Sequence, residues 1–177
     1  MRTGSKKGVV MKKWAVLAVV LAVSTVGFQM FRSSLSKLDE DMVYAYYQNN
    51  INATRRFDAT KLCAMYAKEF RGVDVSRGPR GEQRVTMDRQ QACESLDQSM
   101  AMMKTLVAKT RIEPEFKYTI ESISIAPDRR QATVKLRASM RIGKKFSITS
   151  TGTETLVRRL GDVRSLSSET SSKVSMR

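Results

Sequence analysis

Apolar residues recur at spacings of three and four in the segment that follows residue 34, a pattern typical of one face of an α-helix. Acidic residues lie near the start of this segment, where the helix dipole favours negative charge. The spacing therefore predicts a first helix over residues 36–56. The positions that carry the pattern are Leu35, Leu38, Met42, Ala45, Tyr46, Asn49 and Ala53.

A second helix is predicted to begin after Asp58, because aspartate caps helix N-termini well. The glycine at position 72 is a typical stop signal, so we expect this helix to continue to about Phe70. Residues 71–85 are rich in glycine and arginine and are predicted to form a loop. The apolar stripe of the second helix comprises Ala59, Leu62, Cys63, Tyr66 and Phe70.

A third helix is predicted to begin at Asp88, which is followed three residues later by Gln91 in the arrangement of a capping box. The helix should end near residues 109–111, before Pro114. Its apolar stripe comprises Cys93, Leu96, Met100, Met103 and Val107.

From residue 115 onward the apolar positions alternate with polar ones, which is the period of a β-strand. Four strands are predicted, and the alternation changes parity near Glu121, which indicates a β-bulge. Residues 171–177 are predicted to be a polar tail. The predicted strands cover residues 115–125, 132–142, 146–157 and 163–170.

The order of these elements predicts an α+β domain, in which three N-terminal helices pack on a curved, bulged antiparallel sheet. Helices that lie on the concave side of such a sheet form a cone. We therefore divide the chain into a leader at residues 1–31, a cone-shaped domain at residues 32–170 and the polar tail.

The leader has two interpretations, and both predict that the rest of the chain is exported. Residues 1–13 contain five basic residues and no acid, and an apolar run follows from Trp14 to Val23. This is the pattern of a cleaved secretory signal. The apolar segment from Trp14 to Phe31 is also just long enough for a single membrane anchor. The expected location is the periplasm, or the inner membrane with the domain outside the cytoplasm.

Composition excludes several kinds of chemistry. The 177 residues include no histidine and two cysteines, which argues against histidine-based catalysis and against a zinc site. We expect no metal and no cofactor, and we assign no catalytic residue.

The net charge of +15 is unevenly distributed, because residues 127–177 hold 12 basic and 4 acidic residues. This charge predicts a basic surface on the sheet for an acidic protein or an anionic lipid surface. Nucleic acid is disfavoured as a partner because stacking aromatics do not accompany these charges. The residues proposed for this surface are Lys135, Arg137, Arg141, Lys144 and Lys145.

The chain resembles the cystatin-like cone superfamily of nuclear transport factor two (NTF2), which includes ketosteroid isomerase-like proteins. The resemblance covers about residues 36–170. It rests on the third helix, the long strands after it and the helical pattern Tyr46-Tyr47…Asp58…Leu62…Tyr66…Phe70. It implies a pocket between helices and sheet, and frequent dimerisation through the outer face of the sheet. Some exported members are single-pass components of secretion or conjugation machines.

Cys63 and Cys93 lie on the apolar faces of helices that a cone would pack together. In an oxidising compartment they are expected to form a disulfide, and the alternative is two reduced, buried thiols.

The pocket that the resemblance implies requires polar residues on the inner faces of these elements. The candidate acids are Asp97, one turn beyond Cys93, Glu121, and Glu154, which has the parity of the inner face. A carboxylate in an apolar pocket has a raised pKa and can act as a base. Tyr44, Tyr46, Tyr66 and Tyr118 are candidate phenols, and the pocket proposed from all of these consists of Tyr66, Asp97, Tyr118 and Glu154.

These observations favour a non-catalytic binding or assembly module that is exported to the periplasm or cell envelope. Two alternatives stay open: an inner-membrane scaffold subunit of a secretion or conjugation machine, and a pocket enzyme or small-molecule binder of the ketosteroid isomerase-like type. Fold alone does not choose between them.

Overall fold

The structure, a computed structural model, describes residues 36–78, 81–143 and 146–176. These residues belong to a compact unit that begins at Ser36. The predicted leader, with its signal or anchor, lies outside the described residues, as do Lys144 and Lys145. Within the described ranges, no helix is long and apolar enough to cross a membrane.

The described residues contain three helices, and each begins at an aspartate that caps its N-terminus. Helix α1 (Glu40–Arg55) begins after Asp39, whose side chain accepts from the Met42 amide. Helix α2 (Ala59–Ala64) begins after Asp58, as predicted. Helix α3 (Arg89–Thr110) begins with the predicted capping box between Asp88 and Gln91.

Six strands form one mixed sheet in the order β2-β1-β6-β5-β4-β3. All neighbouring strands are antiparallel except β1 and β6, which are parallel. The predicted bulge is confirmed, because the pairing of β3 with β4 shifts register between Ile120 and Ser122. The strands are β1 (Tyr66–Gly78), β2 (Gly81–Asp88), β3 (Glu115–Ile125), β4 (Gln131–Ile142), β5 (Phe146–Arg159) and β6 (Asp162–Met176).

The α+β class and the four C-terminal strands are confirmed, but several details of the prediction are wrong. The second helix ends at Ala64 rather than near Phe70, and the described residues of the predicted loop, 71–78 and 81–85, lie in the paired strands β1 and β2. The sheet is therefore mixed rather than antiparallel, and α3 follows two strands. The tail is also paired, because β6 continues to Met176.

The spacing of Tyr66 and Phe70 explains the error at the second helix. Four residues is close to one helical turn, but it is also an even number, which returns a strand to the same face. The two rings stack with centroids 4.1 Å apart on strand β1. The pairing of β1 with β6 shifts register between Tyr66 and Arg71, and this irregularity lets two rings four residues apart meet. The apolar spacing alone is compatible with a helix or a strand.

The core lies between α1 and the concave face of the sheet. Fully buried side chains of β4 and β5 pack against Val43, Tyr46 and Tyr47 of α1. The sheet residues in this core are Ala132, Val134 and Leu156. The opposite face of β5 and β6 is rich in serine and threonine, so only one face of the sheet drives packing.

The disulfide between Cys63 and Cys93 is present and joins α2 to α3. The bond spans 30 residues of sequence, including the whole β1–β2 hairpin. It therefore fixes the start of α3 against α2 across an inserted pair of strands.

Replacing both cysteines, as in Cys63→Ser with Cys93→Ser, should lower the free energy of unfolding by about 2–4 kcal/mol, because the unfolded chain regains loop entropy. Urea unfolding of the oxidised protein, the reduced protein and the double variant measures this change. Reduction of the double variant should have no further effect. Equal stability of oxidised and reduced protein would contradict the prediction.

Candidate ligand-binding cavity

A cavity of about 310 Å³ lies between α1 and the concave face of the sheet. Its walls are largely aromatic and aliphatic, and its polar groups are few, which is typical of a small-molecule site. Helix α1 forms one wall, and alternate residues of β3, β4 and β5 form the other. The lining includes Tyr47, Asn50, Ile51, Tyr66, Phe116, Tyr118, Leu136, Ala138, Met140, Ile148, Ser150, Glu154 and Ser168.

Glu154 supplies the carboxyl group of this cavity. It lies on β5, paired with Val134 of β4 and Ser168 of β6, so its side chain shares the inner face with the core. The Tyr46 hydroxyl donates to Oε1 at 3.1 Å, and the Tyr47 hydroxyl donates to Oε2 at 2.6 Å. Both carboxylate oxygens are therefore tied to α1.

The two tyrosines are consecutive on α1, and their rings meet edge to face with centroids 5.2 Å apart. Consecutive helical residues project about 100° apart. The two phenols consequently reach the carboxylate from different sides and hold it between them. Tyr118 extends the aromatic cluster, since its ring centroid lies 5.8 Å from that of Tyr47.

Burial raises the pKa of the Glu154 carboxyl above its ordinary value of 4.5, because a carboxylate loses solvation inside the protein. The residue as a whole is half-buried, since it faces the cavity, but its carboxyl group is surrounded by protein. Hydroxyl groups of Ser165, Tyr47 and Tyr46 oppose this shift and lower the pKa. The completely buried Ser165 hydroxyl lies near the carboxyl but makes no hydrogen bond of good geometry.

The same environment keeps the phenols protonated. Burial, and after it the negative charge of Glu154, raises the pKa of both Tyr46 and Tyr47. These two causes also raise the pKa of Tyr66 to about 12. At neutral pH the tyrosines are therefore hydrogen-bond donors to the carboxyl.

The structure brings together three of the four residues proposed for the pocket. Tyr66, Tyr118 and Glu154 line the cavity, whereas Asp97 does not and is exposed on α3. The buried side of α3 passes through Ala92 and Leu96, and Asp97 is one residue, about 100°, beyond that side.

Two polar residues of the site, Tyr47 and Asn50, were not among the predicted ones, and one candidate phenol lies elsewhere. Tyr47 and Asn50 line the cavity, and Tyr47 makes the shorter hydrogen bond to Glu154. Tyr44, by contrast, is 51% exposed. The adjacent pair Tyr46-Tyr47 was the sequence feature that could have indicated a buried Tyr47, because two neighbouring aromatic residues on one amphipathic helix widen its buried face.

The residues of the proposed basic surface that the structure describes lie on the outer face of β4. Lys135, Arg137 and Arg141 are exposed there, but acids lie among them. Arg137 pairs with Glu121 at 3.2 Å, and Lys135 lines an open groove together with Glu121 and Glu169. This face is therefore mixed in charge rather than uniformly basic.

Metal-ligating side chains do not gather anywhere in the described residues: no three of His, Cys, Asp and Glu are close enough to hold an ion. In the cavity itself, the described lining has Glu154 as its one carboxyl.

Comparison with known proteins finds similarity in structure but not in sequence. No protein-family model matches the chain, and no curated protein is similar to it in sequence. Solved structures do match. An NTF-2 like protein of unknown function from Shewanella oneidensis is 16% identical with a TM-score of 0.53, and the alignment covers 76% of this chain and 99% of that one.

Two further structures support the same fold. A conserved protein from Planctomyces limnophilus is 16% identical with a TM-score of 0.56, covering 78% of this chain and 98% of that one. A cystatin-like domain of unknown function from Nostoc punctiforme is 10% identical with a TM-score of 0.54, covering 75% of this chain and 76% of that one. At these identities the likeness establishes the fold, which is the cystatin-like, NTF2-like cone.

The raised pKa of Glu154 predicts a pH-dependent stability that the variant Glu154→Gln should lack. The folded protein holds this proton at pH values where the unfolded chain has lost it, so the associated stability is complete below about pH 4.5. It is lost as the pH rises through the folded-state pKa. Urea unfolding at a series of pH values should therefore show a decline in the wild type that is absent from Glu154→Gln.

The control is Glu113→Gln, which removes an exposed carboxyl before β3 and should keep the wild-type decline. Parallel profiles for the wild type and Glu154→Gln would show that the carboxyl is not desolvated in the folded state.

Proposed function

We propose that the domain binds a small, mostly apolar ligand in the cone cavity, with a hydrogen-bond donor or a cationic group of the ligand directed at Glu154. The observation that carries this proposal is the convergence of one buried carboxyl and several phenols at a cavity with largely apolar walls. A desolvated carboxylate attracts a cation or a donor far more strongly than an exposed one.

The arrangement favours binding over catalysis. Each Glu154 oxygen already accepts a phenol hydrogen bond, which fixes the carboxylate and opposes the rise of its pKa that burial causes. Lys117, a second charged residue of the lining, is paired with Glu115 at 2.8 Å. Both charged residues of the described lining are therefore already engaged by protein groups.

The size of the cavity limits the ligand. A volume of about 310 Å³ is equivalent to roughly ten water molecules and is at the small end of ligand pockets. One aromatic ring with a short polar substituent fits these dimensions. Asn50, Ser150 and Ser168 offer further hydrogen bonds to such a substituent.

Three probes of similar shape and different charge test the proposal: benzylamine, toluene and benzoate. Calorimetry or ligand-observed NMR should rank their affinities as benzylamine, then toluene, then benzoate, because the negative charge of Glu154 repels a carboxylate. Glu154→Gln should abolish the preference for the amine. Ala138→Phe, which occupies part of the cavity, should weaken all binding.

Ala101→Phe, at an exposed position of α3, is the matched control and should bind like the wild type. Binding that is insensitive to Ala138→Phe would place the probes elsewhere and overturn the proposal, as would equal affinity for the amine and the carboxylate.

The domain is further proposed to work outside the cytoplasm. The Cys63–Cys93 disulfide supports this location, since such bonds persist in oxidising compartments, and it agrees with the predicted leader. Intact-mass analysis of the native protein, reduced and non-reduced, should show the bond and reveal whether the leader is cleaved. Free thiols in the native protein would contradict the proposed location.

A further inference from the structure

One edge of the domain gathers basic side chains at the end of the strands farthest from Phe116 and Met140 of the cavity. Three short segments meet there: residues 36–39, the β3–β4 turn at residues 127–131, and residues 158–164 around the β5–β6 turn. Together they hold six basic and three acidic residues, a net charge of 6 − 3 = +3. We call these three segments the basic edge.

Hydrogen bonds to backbone carbonyls hold two arginines of the basic edge in place. Arg129 Nε donates to the Leu38 carbonyl at 3.0 Å, and the Leu38 amide donates back to the Arg129 carbonyl. Arg158 donates to the carbonyls of Lys37 and Gly161. The carbonyl acceptor of Arg129 orients its guanidinium without cancelling its charge.

Two of the three acids are occupied by local backbone bonds. Asp39 accepts from the Met42 amide at the start of α1, and Asp128 accepts from the Arg130 amide in its turn. The third, Asp162, pairs with Arg164 at 3.3 Å. Arg129, Arg130 and Arg159 remain exposed to solvent, although Arg159 also lies 4.0 Å from the carboxylate of Glu69 on β1.

The tip of the basic edge is apolar. Leu160 is 81% exposed, and its φ of +51° places it in the left-handed region, directly before Gly161 at +95°. This apolar side chain lies at the tip of a tight turn, directly after two arginines. The turn therefore combines the two features that bind an anionic bilayer, which are apolar surface to bury and positive charge to attract headgroups.

A second cavity, of about 490 Å³, opens beside this edge between α1, α2 and the β5–β6 turn. Two cationic residues, Lys61 and Arg164, line it together with Asn49 and a single acid, Asp162. The Arg164 guanidinium is partly exposed there, and its Nη2 pairs with Asp162 at 3.3 Å. These donors suit a phosphate oxygen.

The position of this edge in the chain also favours a membrane. Only residues 32–35 separate the predicted apolar leader segment from Ser36, where the basic edge begins. If that segment stays in the bilayer, the chain returns to water immediately before this edge.

We propose that the basic edge docks on an anionic phospholipid bilayer, with Leu160 in the interfacial region, the arginines among the headgroups and a headgroup phosphate at Lys61 and Arg164. This proposal is independent of ligand binding in the cone cavity, which involves different residues.

The test uses the full chain in lipid nanodiscs, with the native Trp14 replaced by Phe and a single tryptophan introduced by Leu160→Trp. In discs that contain phosphatidylglycerol, the emission should shift to the blue and be quenched by doxyl-labelled lipid. High salt should reverse both effects. In discs of phosphatidylcholine alone, neither effect should appear.

Two controls isolate the basic edge. Val85→Trp places the tryptophan at another exposed apolar position, on β2, and should be insensitive to the lipid. Arg130→Gln with Arg159→Gln should weaken docking by about fivefold per removed charge. Lys104→Gln with Lys109→Gln, on exposed α3 positions, should leave docking unchanged.

Identical emission spectra of the Leu160→Trp variant in the two lipids would overturn the proposal, as would equal shifts for the Leu160→Trp and Val85→Trp variants. Inorganic phosphate added to phosphatidylcholine discs distinguishes the source of the anion. A shift produced by phosphate alone would mean that the edge binds a free anion rather than a bilayer.

Discussion

A carboxylate on the concave face of the sheet is the constraint around which the domain is organised. Glu154 stands on β5 among core residues, where an unpaired charge would be strongly destabilising. Tyr46 and Tyr47 donate to its two oxygens from consecutive positions of α1. These hydrogen bonds fix the rotation of α1 about its axis and its position along the sheet. The neighbouring apolar residues of α1 then face Val134 and Leu156 in the core.

The same constraint leaves a cavity. The phenols and the carboxyl are hydrogen-bonded to one another and therefore do not fill the adjoining space beneath α1. Tyr66, Tyr118 and Ala138 form walls of this cavity. The disulfide acts on another part of the cone, where it holds α3 to α2 across the β1–β2 hairpin. The hydrogen bonds to Glu154 thus position α1, which covers the cavity. The disulfide positions α3 over the remaining strands.

Prediction from the sequence succeeded where a hydrophobic period or a helix-capping residue was compatible with a single structure. Asp58 and Asp88 predicted helix starts, strict alternation predicted β4, and a change of parity predicted the bulge near Glu121; all are present. The hairpin of β1 and β2 was missed, because Tyr66 and Phe70 share a face in a helix and in a strand alike. The pairing of β1 with β6 is a long-range contact that no local pattern encodes.

Prediction of the site had a similar limit. Parity placed Glu154 on the inner face, but the identity of its partners depends on how α1 is rotated, which is set by packing. Tyr47 was therefore missed, although it makes the 2.6 Å hydrogen bond. Asp97 was misplaced for the corresponding reason, since a difference of one helical residue separates the buried side of α3 from the exposed side.

The most direct measurement is a ¹³C NMR titration of the Glu154 side-chain carboxyl, with and without benzylamine. We expect a titration midpoint above 4.5 in the free protein, because burial disfavours the charged form. The bound amine should lower this midpoint, because a nearby positive charge favours the carboxylate. A carboxyl that titrates at its ordinary value would show that Glu154 is not desolvated, and one that does not respond to the amine would show that the ligand does not reach it.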